Sequence, residues 1–246
     1  MVHAAGASHI GSCLSVADML AVLYGYSLRH RSDEPKWPQR DRFILSKGHA
    51  AAALYAVLAH RGYFPTSELN TLSRDGSILL GHVSHHVPGV EFSTGSLGHG
   101  LSLAAGIALA AKLDGAAFRS FVILSDGECD EGAIWEAALF AGHHALGNLV
   151  ALLDYNKLQS FGRTAEVLDL EPLAAKWKAF GWQVTELDGH DHLKLVASLA
   201  LSCEKPHLLL CHTVKGKGVS FMEDRLEWHY KSPDREALAA ALAELS

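Results

Sequence analysis

Phe121-Val122-Ile123-Leu124 runs into Ser125-Asp126-Gly127-Glu128, and a helix-length later Leu149-Val150-Ala151-Leu152-Leu153 runs into Asp154-Tyr155-Asn156. Each half is a short, wholly apolar run with a polar turn at its end, the pattern of a strand buried on both faces. Between them Gly132 to His144 carries a helical apolar period. Strand, helix, strand over about thirty residues is a parallel βαβ crossover, because parallel neighbours cannot be joined by a tight turn. The rest of the chain repeats the alternation. A helix is predicted over Leu14 to Leu28, with Ser15 as its cap and Asp18 closing a capping box. Phe43-Ile44-Leu45 reads as a strand, His49 to His60 as a helix and Leu101 to Leu113 as another. Strands at Trp182 to Leu187 and His207 to Cys211 flank a helix at His192 to Leu201, and a last helix runs from Asp234 to Leu245. The expected fold is α/β, a doubly wound and mostly parallel sheet with helices on both faces, forming a single domain over residues 1–246.

Composition narrows the function classes. Hydrophobic residues make up 49% of 246 and charged residues 20%, so the chain can bury a core and is not disordered. The net charge of −6 and the lack of a basic stripe argue against a nucleic-acid partner. Four scattered cysteines, Cys13, Cys129, Cys203 and Cys211, form no CxxC pair, which favours a reducing compartment. The apolar stretch Leu101 to Leu113 is too short to span a bilayer, and no signal peptide is visible, so the expected setting is cytoplasmic with no membrane partner. Sixteen histidines are several-fold above ordinary usage.

In doubly wound sheets ligands sit at the carboxyl ends of the strands. Adjacent strands would hold Asp126 and Asn156 on one rim, hard oxygen donors suited to Mg²⁺ shared with phosphate oxygens. Gly127 permits close approach of a backbone N–H to an anion. The same residues are equally readable as simple turns after strands. Thr94-Gly95-Ser96-Leu97-Gly98-His99-Gly100 leads into a helix, either as a ligand-cradling loop or as a plain lead-in. Loop histidines suit proton transfer or phosphate contact, and His82-x-x-His85-His86 is alternatively a transition-metal pattern without the usual acidic or thiolate companion.

Taken in chain order, Ala7-Ser8-His9-Ile10-Gly11, Ser46-Lys47-Gly48-His49-Ala50, Gly81-His82, Ser93-Thr94-Gly95-Ser96-Leu97-Gly98, Ser125-Asp126-Gly127-Glu128-Cys129-Asp130-Glu131-Gly132 and Asp154-Tyr155-Asn156 resemble the diphosphate-binding half of a transketolase. The resemblance runs from about residue 1 to about 232. It implies thiamine diphosphate as cofactor, with Mg²⁺ (Ca²⁺ or Mn²⁺ as substitutes) held by Asp126, Asn156 and the Leu158 carbonyl. It implies cofactor contacts from His49, Gly95, Ser96, Leu97, Gly127, Glu128, Asn156 and His229. His9, His82 and His229 fall where family histidines meet sugar oxygens or diphosphate and assist proton transfer, and Glu131 falls on the acid used at the subunit interface. The sequence departs from the family at Ser125, at Ser96 in place of proline, and at Tyr230 in place of glycine. The activating carboxylate and most sugar-phosphate ligands of transketolases belong to a second domain. The chain therefore resembles the N-terminal subunit of a split transketolase, completed by a C-terminal partner subunit in an α2β2 heterotetramer and acting on sugar phosphates. The alternatives are another thiamine diphosphate enzyme, of the 1-deoxyxylulose-5-phosphate synthase or 2-oxo acid dehydrogenase type, or a non-catalytic cofactor-binding subunit.

Overall fold

A computed structural model describes residues 1–246. Five strands, β1 (Arg42–Leu45), β2 (Ser120–Ser125), β3 (Leu149–Tyr155), β4 (Gln183–Asp188) and β5 (His207–His212), form one sheet in the order β1-β2-β3-β5-β4. Every pairing is parallel. The helices are α1 (Val2–Ala5), α2 (Ile10–Val22), α3 (Ala51–His60), α4 (His99–Leu113), α5 (Gly132–His143), α6 (Thr164–Val167), α7 (Leu173–Ala179), α8 (His192–Leu199) and α9 (Arg235–Leu245).

The wholly apolar strands are explained by two cores, one on each sheet face. Phe121, Ile123, Val150, Leu152 and Leu209 join the side chains of α2, α3 and α8. Their alternating neighbours Val122, Leu124, Ala151, Leu153 and Leu208 join α4, α5 and α7 on the opposite face. A period of two on a strand with both faces covered leaves no position for a polar residue until the strand ends. The first polar groups therefore arrive together at the carboxyl edge. The register sets Ser125 beside Asp154, and so places Asp126 and Asn156 just past neighbouring strand ends.

Helix α2 departs from the expectation. It starts at Ile10 rather than Leu14, capped by His9 in the left-handed region at φ 72°, and it closes in a π turn over Leu23–Ser27. Ser15 lies inside the helix, and its hydroxyl donates to Asp154 instead of capping. Asp18 turns to His190 and His192. The run Ile10–Ser27, rather than Leu101 to Leu113, is the one long and apolar enough by length and composition to cross a membrane. Its Val16, Met19, Leu20 and Leu23 are buried in the core under the sheet.

Candidate active site

At the carboxyl edge lies a polar cavity of about 410 Å³, lined by residues from the end of β2 and from the segments that follow β1, β2, β3 and β5. Asp126 is 2% exposed, and its two oxygens accept the N–H groups of Gly127 (2.8 Å) and Lys157 (2.6 Å). Burial, reinforced by the neighbouring Asp154 carboxylate, pushes its pKa up to about 6. Asp154 itself is fully buried and paired with the buried Lys47 at 2.5 Å, with further donors from Ser15, Thr213 and Asn156. Burial would raise its pKa, but Lys47 and these donors outweigh that and hold it below the usual carboxylate range.

This network fixes Asn156. Its amide nitrogen donates to Asp154 (3.1 Å), so the amide oxygen is the free acceptor and takes the Leu158 N–H (3.0 Å). Asp126 and Asn156 thus present one under-compensated carboxylate and one oriented amide oxygen. That donor set fits a hard divalent cation completed by phosphate oxygens. The Leu158 carbonyl accepts the Lys215 ammonium at 2.8 Å, so it is available to a cation only through its second lone pair. Gly127 spends its N–H on Asp126, and a phosphate would have to draw it away.

Four imidazoles gather in the same cavity. The His9 ring lies 5.0 Å from His49, 5.0 Å from His229 and 6.1 Å from His82. The left-handed His9 backbone, a costly conformation for a non-glycine residue, is held by donation from its N–H to the His229 carbonyl at 2.9 Å. Lys215 donates to His229 Nδ1 (2.7 Å), which leaves the ring proton on Nε2. Burial and then His82, Lys215 and Lys47 lower the pKa of His9 to about 4. Burial, Lys215 and His9 lower that of His229 to about 3, and burial carries His49 well below its usual value. Burial also lowers the pKa of Lys215, to about 8. At neutral pH His9, His49 and His229 are therefore neutral hydrogen-bonding groups beside two lysines.

Gly95, Leu97 and Glu131 line the cavity as the sequence suggests, and Gly98 closes the loop. Gly98 sits at φ +84°, and a β-carbon there would lie 2.9 Å from that of Glu131. Two expected contacts are corrected. Ser96 is exposed and does not line the cavity. Glu128 is completely buried behind it, where its carboxylate accepts from Ser46, from the Ser125 N–H (2.8 Å) and from the Gly98 N–H (3.0 Å). It closes a capping box with Ser125 and ties β2 to the glycine loop, so it positions the site without touching it. His85 bonds Ser93 and lies against His86 with the rings tilted by 37°, and the two make no metal-ligating trio with His82. Sequence reasoning missed Lys47, Lys215, Ser12 and Gln159, all of which line the cavity. The one signal was a lysine set against glycine in Lys47-Gly48 and Lys215-Gly216.

The family described as transketolase, thiamine diphosphate binding domain, matches residues 1–242. The chain is 45% identical to one subunit of an apulose-4-phosphate transketolase from Phocaeicola vulgatus, covering 100% of this chain and 89% of that one. It is 46% identical to one subunit of a 6-deoxy-6-sulfo-D-fructose transketolase from Clostridium sp., covering 98% and 89%. The transketolase structure from Campylobacter jejuni superposes with a TM-score of 0.94 at 31% identity, over 99% of this chain and 40% of that one. On its sequence, its sheet and the place of its site, this chain belongs to the transketolase family, on the side of the split enzymes that carries the thiamine diphosphate binding domain.

Proposed function

We propose that this chain is the cofactor-diphosphate half of a two-subunit transketolase, which moves a two-carbon ketol unit from a ketose to an aldose. The observation that carries the reading is the meeting of Asp126 and Asn156 with His9, His49, His82 and His229 in one cavity. Asp126 and Asn156 would hold Mg²⁺, with the Leu158 carbonyl as a further donor, and Lys215 and His49 would meet the diphosphate. Thiamine diphosphate, when bound, supplies the electron sink for cleaving and forming the carbon–carbon bond. The chain's own part is to bind, orient and manage protons. His229, with Nδ1 blocked by Lys215, offers Nε2–H as a donor to a sugar hydroxyl. His9, kept neutral by burial, is placed to hydrogen-bond a sugar hydroxyl, and its part in moving that proton is the role we assign it. Such a set of hydroxyl partners favours a sugar over a 2-oxo acid.

Relatives that are themselves named as single subunits of a transketolase support a C-terminal partner that completes the site, and a closed α2β2 assembly is the natural symmetric form. Two of those relatives are named for ketoses with an anionic group, apulose-4-phosphate and 6-deoxy-6-sulfo-fructose, so a ketose of that class is the proposed donor. We place the enzyme in the cytoplasm. Residues 1–246 act as one cofactor-binding domain. The test is reconstitution with the partner subunit, thiamine diphosphate and Mg²⁺, following ketose consumption with an aldose acceptor. Activity that peaks near equal amounts of the two chains is expected. Full turnover by this chain with no partner detectable by mass spectrometry would refute the reading.

A further inference from the structure

Lys215 reaches the centre of the cavity from a segment with no secondary structure of its own, Thr213 to Gly218, beyond the end of β5. Its far side is tied by backbone bonds, the Gly216 N–H donating to the Gly11 carbonyl at 3.0 Å and the Asp224 N–H to the Lys215 carbonyl at 2.9 Å, while at its near end the last sheet bond is long, 3.4 Å from the Thr213 N–H to the Tyr155 carbonyl. The next amide, that of Val214, donates to a side chain instead, His190 Nε2 at 2.9 Å. A ring nitrogen that accepts a backbone N–H carries no proton, so the His190 proton sits on Nδ1. It is donated from there to Asp18 at 2.7 Å. The other Asp18 oxygen is taken by His192 Nε2 at 2.6 Å, which turns the carboxylate toward both rings. His190 is mostly buried, and its turn lies hard against the same segment: a β-carbon on Gly189 would meet Thr213 Cγ2 at 2.5 Å.

From this geometry we infer that His190, held in one tautomer by Asp18, is a positioning residue for the cofactor-facing Lys215. The chain of contacts runs Asp18, His190, Val214 N–H, and then one residue on to Lys215. Thr213, at the start of the segment, donates to the buried Asp154. The strut therefore bears on Lys215 and on one donor to Asp154 without itself lining the cavity. The inference rests on the proposed binding of thiamine diphosphate for its functional consequence, but not for the strut.

Two near-isosteric substitutions separate the ends of the ring. Gln at 190 places a carbonyl oxygen where Nε2 was and keeps the acceptor for Val214. Asn reaches only the Nδ1 position and keeps the link to Asp18 alone. Amide hydrogen exchange of Val214 in the full chain, without partner or cofactor, should speed up about tenfold in His190→Asn and stay near wild type in His190→Gln. In the complex with the partner subunit, calorimetric thiamine diphosphate affinity with Mg²⁺ should weaken about tenfold in His190→Asn and be largely rescued in His190→Gln, with the circular dichroism of the fold unchanged. Equal Val214 exchange in all three proteins would overturn the strut. Faster exchange with unaltered affinity in His190→Asn would overturn its link to Lys215. A wild-type complex that binds no thiamine diphosphate would instead sink the functional reading, and the exchange result would still decide the strut.

Discussion

Lys47→Met tests the electrostatic floor of the site. Lys47 and Asp154 are 1% and 0% exposed at the side chain and 2.5 Å apart. Removing the cation leaves a fully buried carboxylate with hydrogen bonds from Ser15, Thr213 and Asn156 but no directly paired opposite charge. Breaking a buried pair from one side costs about 3–5 kcal/mol, and the three remaining donors put this case near the lower end. Against a total stability of about 5–15 kcal/mol, a loss of about 3 is a large fraction. Urea unfolding at neutral pH should show the midpoint fall by about 1 M or more. The sign with pH is definite. In the wild type Asp154 is held below the ordinary carboxylate range, so its contribution is full above the unfolded-state pKa and fades as pH falls through the folded value. In Lys47→Met the strongest influence holding that pKa down is gone and burial is opposed only by the remaining hydrogen bonds, so the pKa rises, acidification relieves the unpaired charge and the gap between variant and wild type narrows. Adding Asp154→Asn should restore most of the stability, giving a coupling energy of about 2 kcal/mol or more in the double-mutant cycle. A single variant within about 1 kcal/mol of wild type, or a double variant no better than the single, would show that the pair does not carry the site.

Asp126→Ala should abolish most Mg²⁺-dependent thiamine diphosphate binding in calorimetry, since it removes the single carboxylate offered to the ion, and near wild-type affinity would discard that assignment. Because Asp126 ionises only near pH 6, binding should weaken progressively as pH drops below that value and level off above it, whereas a flat profile from pH 5 to 7 would mean the carboxylate is not the ligand. His9→Ala and His82→Ala should each lower kcat/KM about 10²-fold in the reconstituted enzyme while leaving cofactor affinity nearly intact, and the reverse pattern in either would reassign that ring to the diphosphate.

The strands, both crossovers and the carboxyl-edge location were legible because a strand covered on both faces has a simple signature, an unbroken apolar run ending in a polar turn. Asp126, Asn156, His9, His49, His82 and His229 were legible as an ordered set, and the fold brings them into one cavity. The start of α2 was not. Ser15 and Asp18 have the spacing of a capping box, but the buried Asp154 and the two α8-side histidines claim them, and tertiary partners overrule a local cap. Glu128 failed for a related reason: one residue beyond a cavity-lining turn, its carboxylate faces Ser46 and Gly98, and no local pattern reveals which way a turn residue faces. Lys47 and Lys215 stayed hidden because a lone lysine reads as surface until the fold surrounds it, and the Val214 to His190 bond joins residues 24 apart with no periodicity between them.

The stitching of His9 to His229 has a consequence for how the protein comes into being. His3 bonds the Pro233 carbonyl, Ser8 that of Tyr230, and the His9 N–H that of His229, so the first and last stretches of the chain close on each other beside the cavity. During vectorial synthesis the sheet has all its strands once His212 has emerged, yet His9 must wait for residues made some two hundred positions later to hold its left-handed backbone. The hydrophobic body and the imidazole cluster are therefore separable in time. The body collapses around contacts it already possesses, and the cluster forms last, across nearly the whole length of the chain. A nascent or clipped chain lacking the segment around His229 would retain the sheet while losing the contacts that assemble its chemistry.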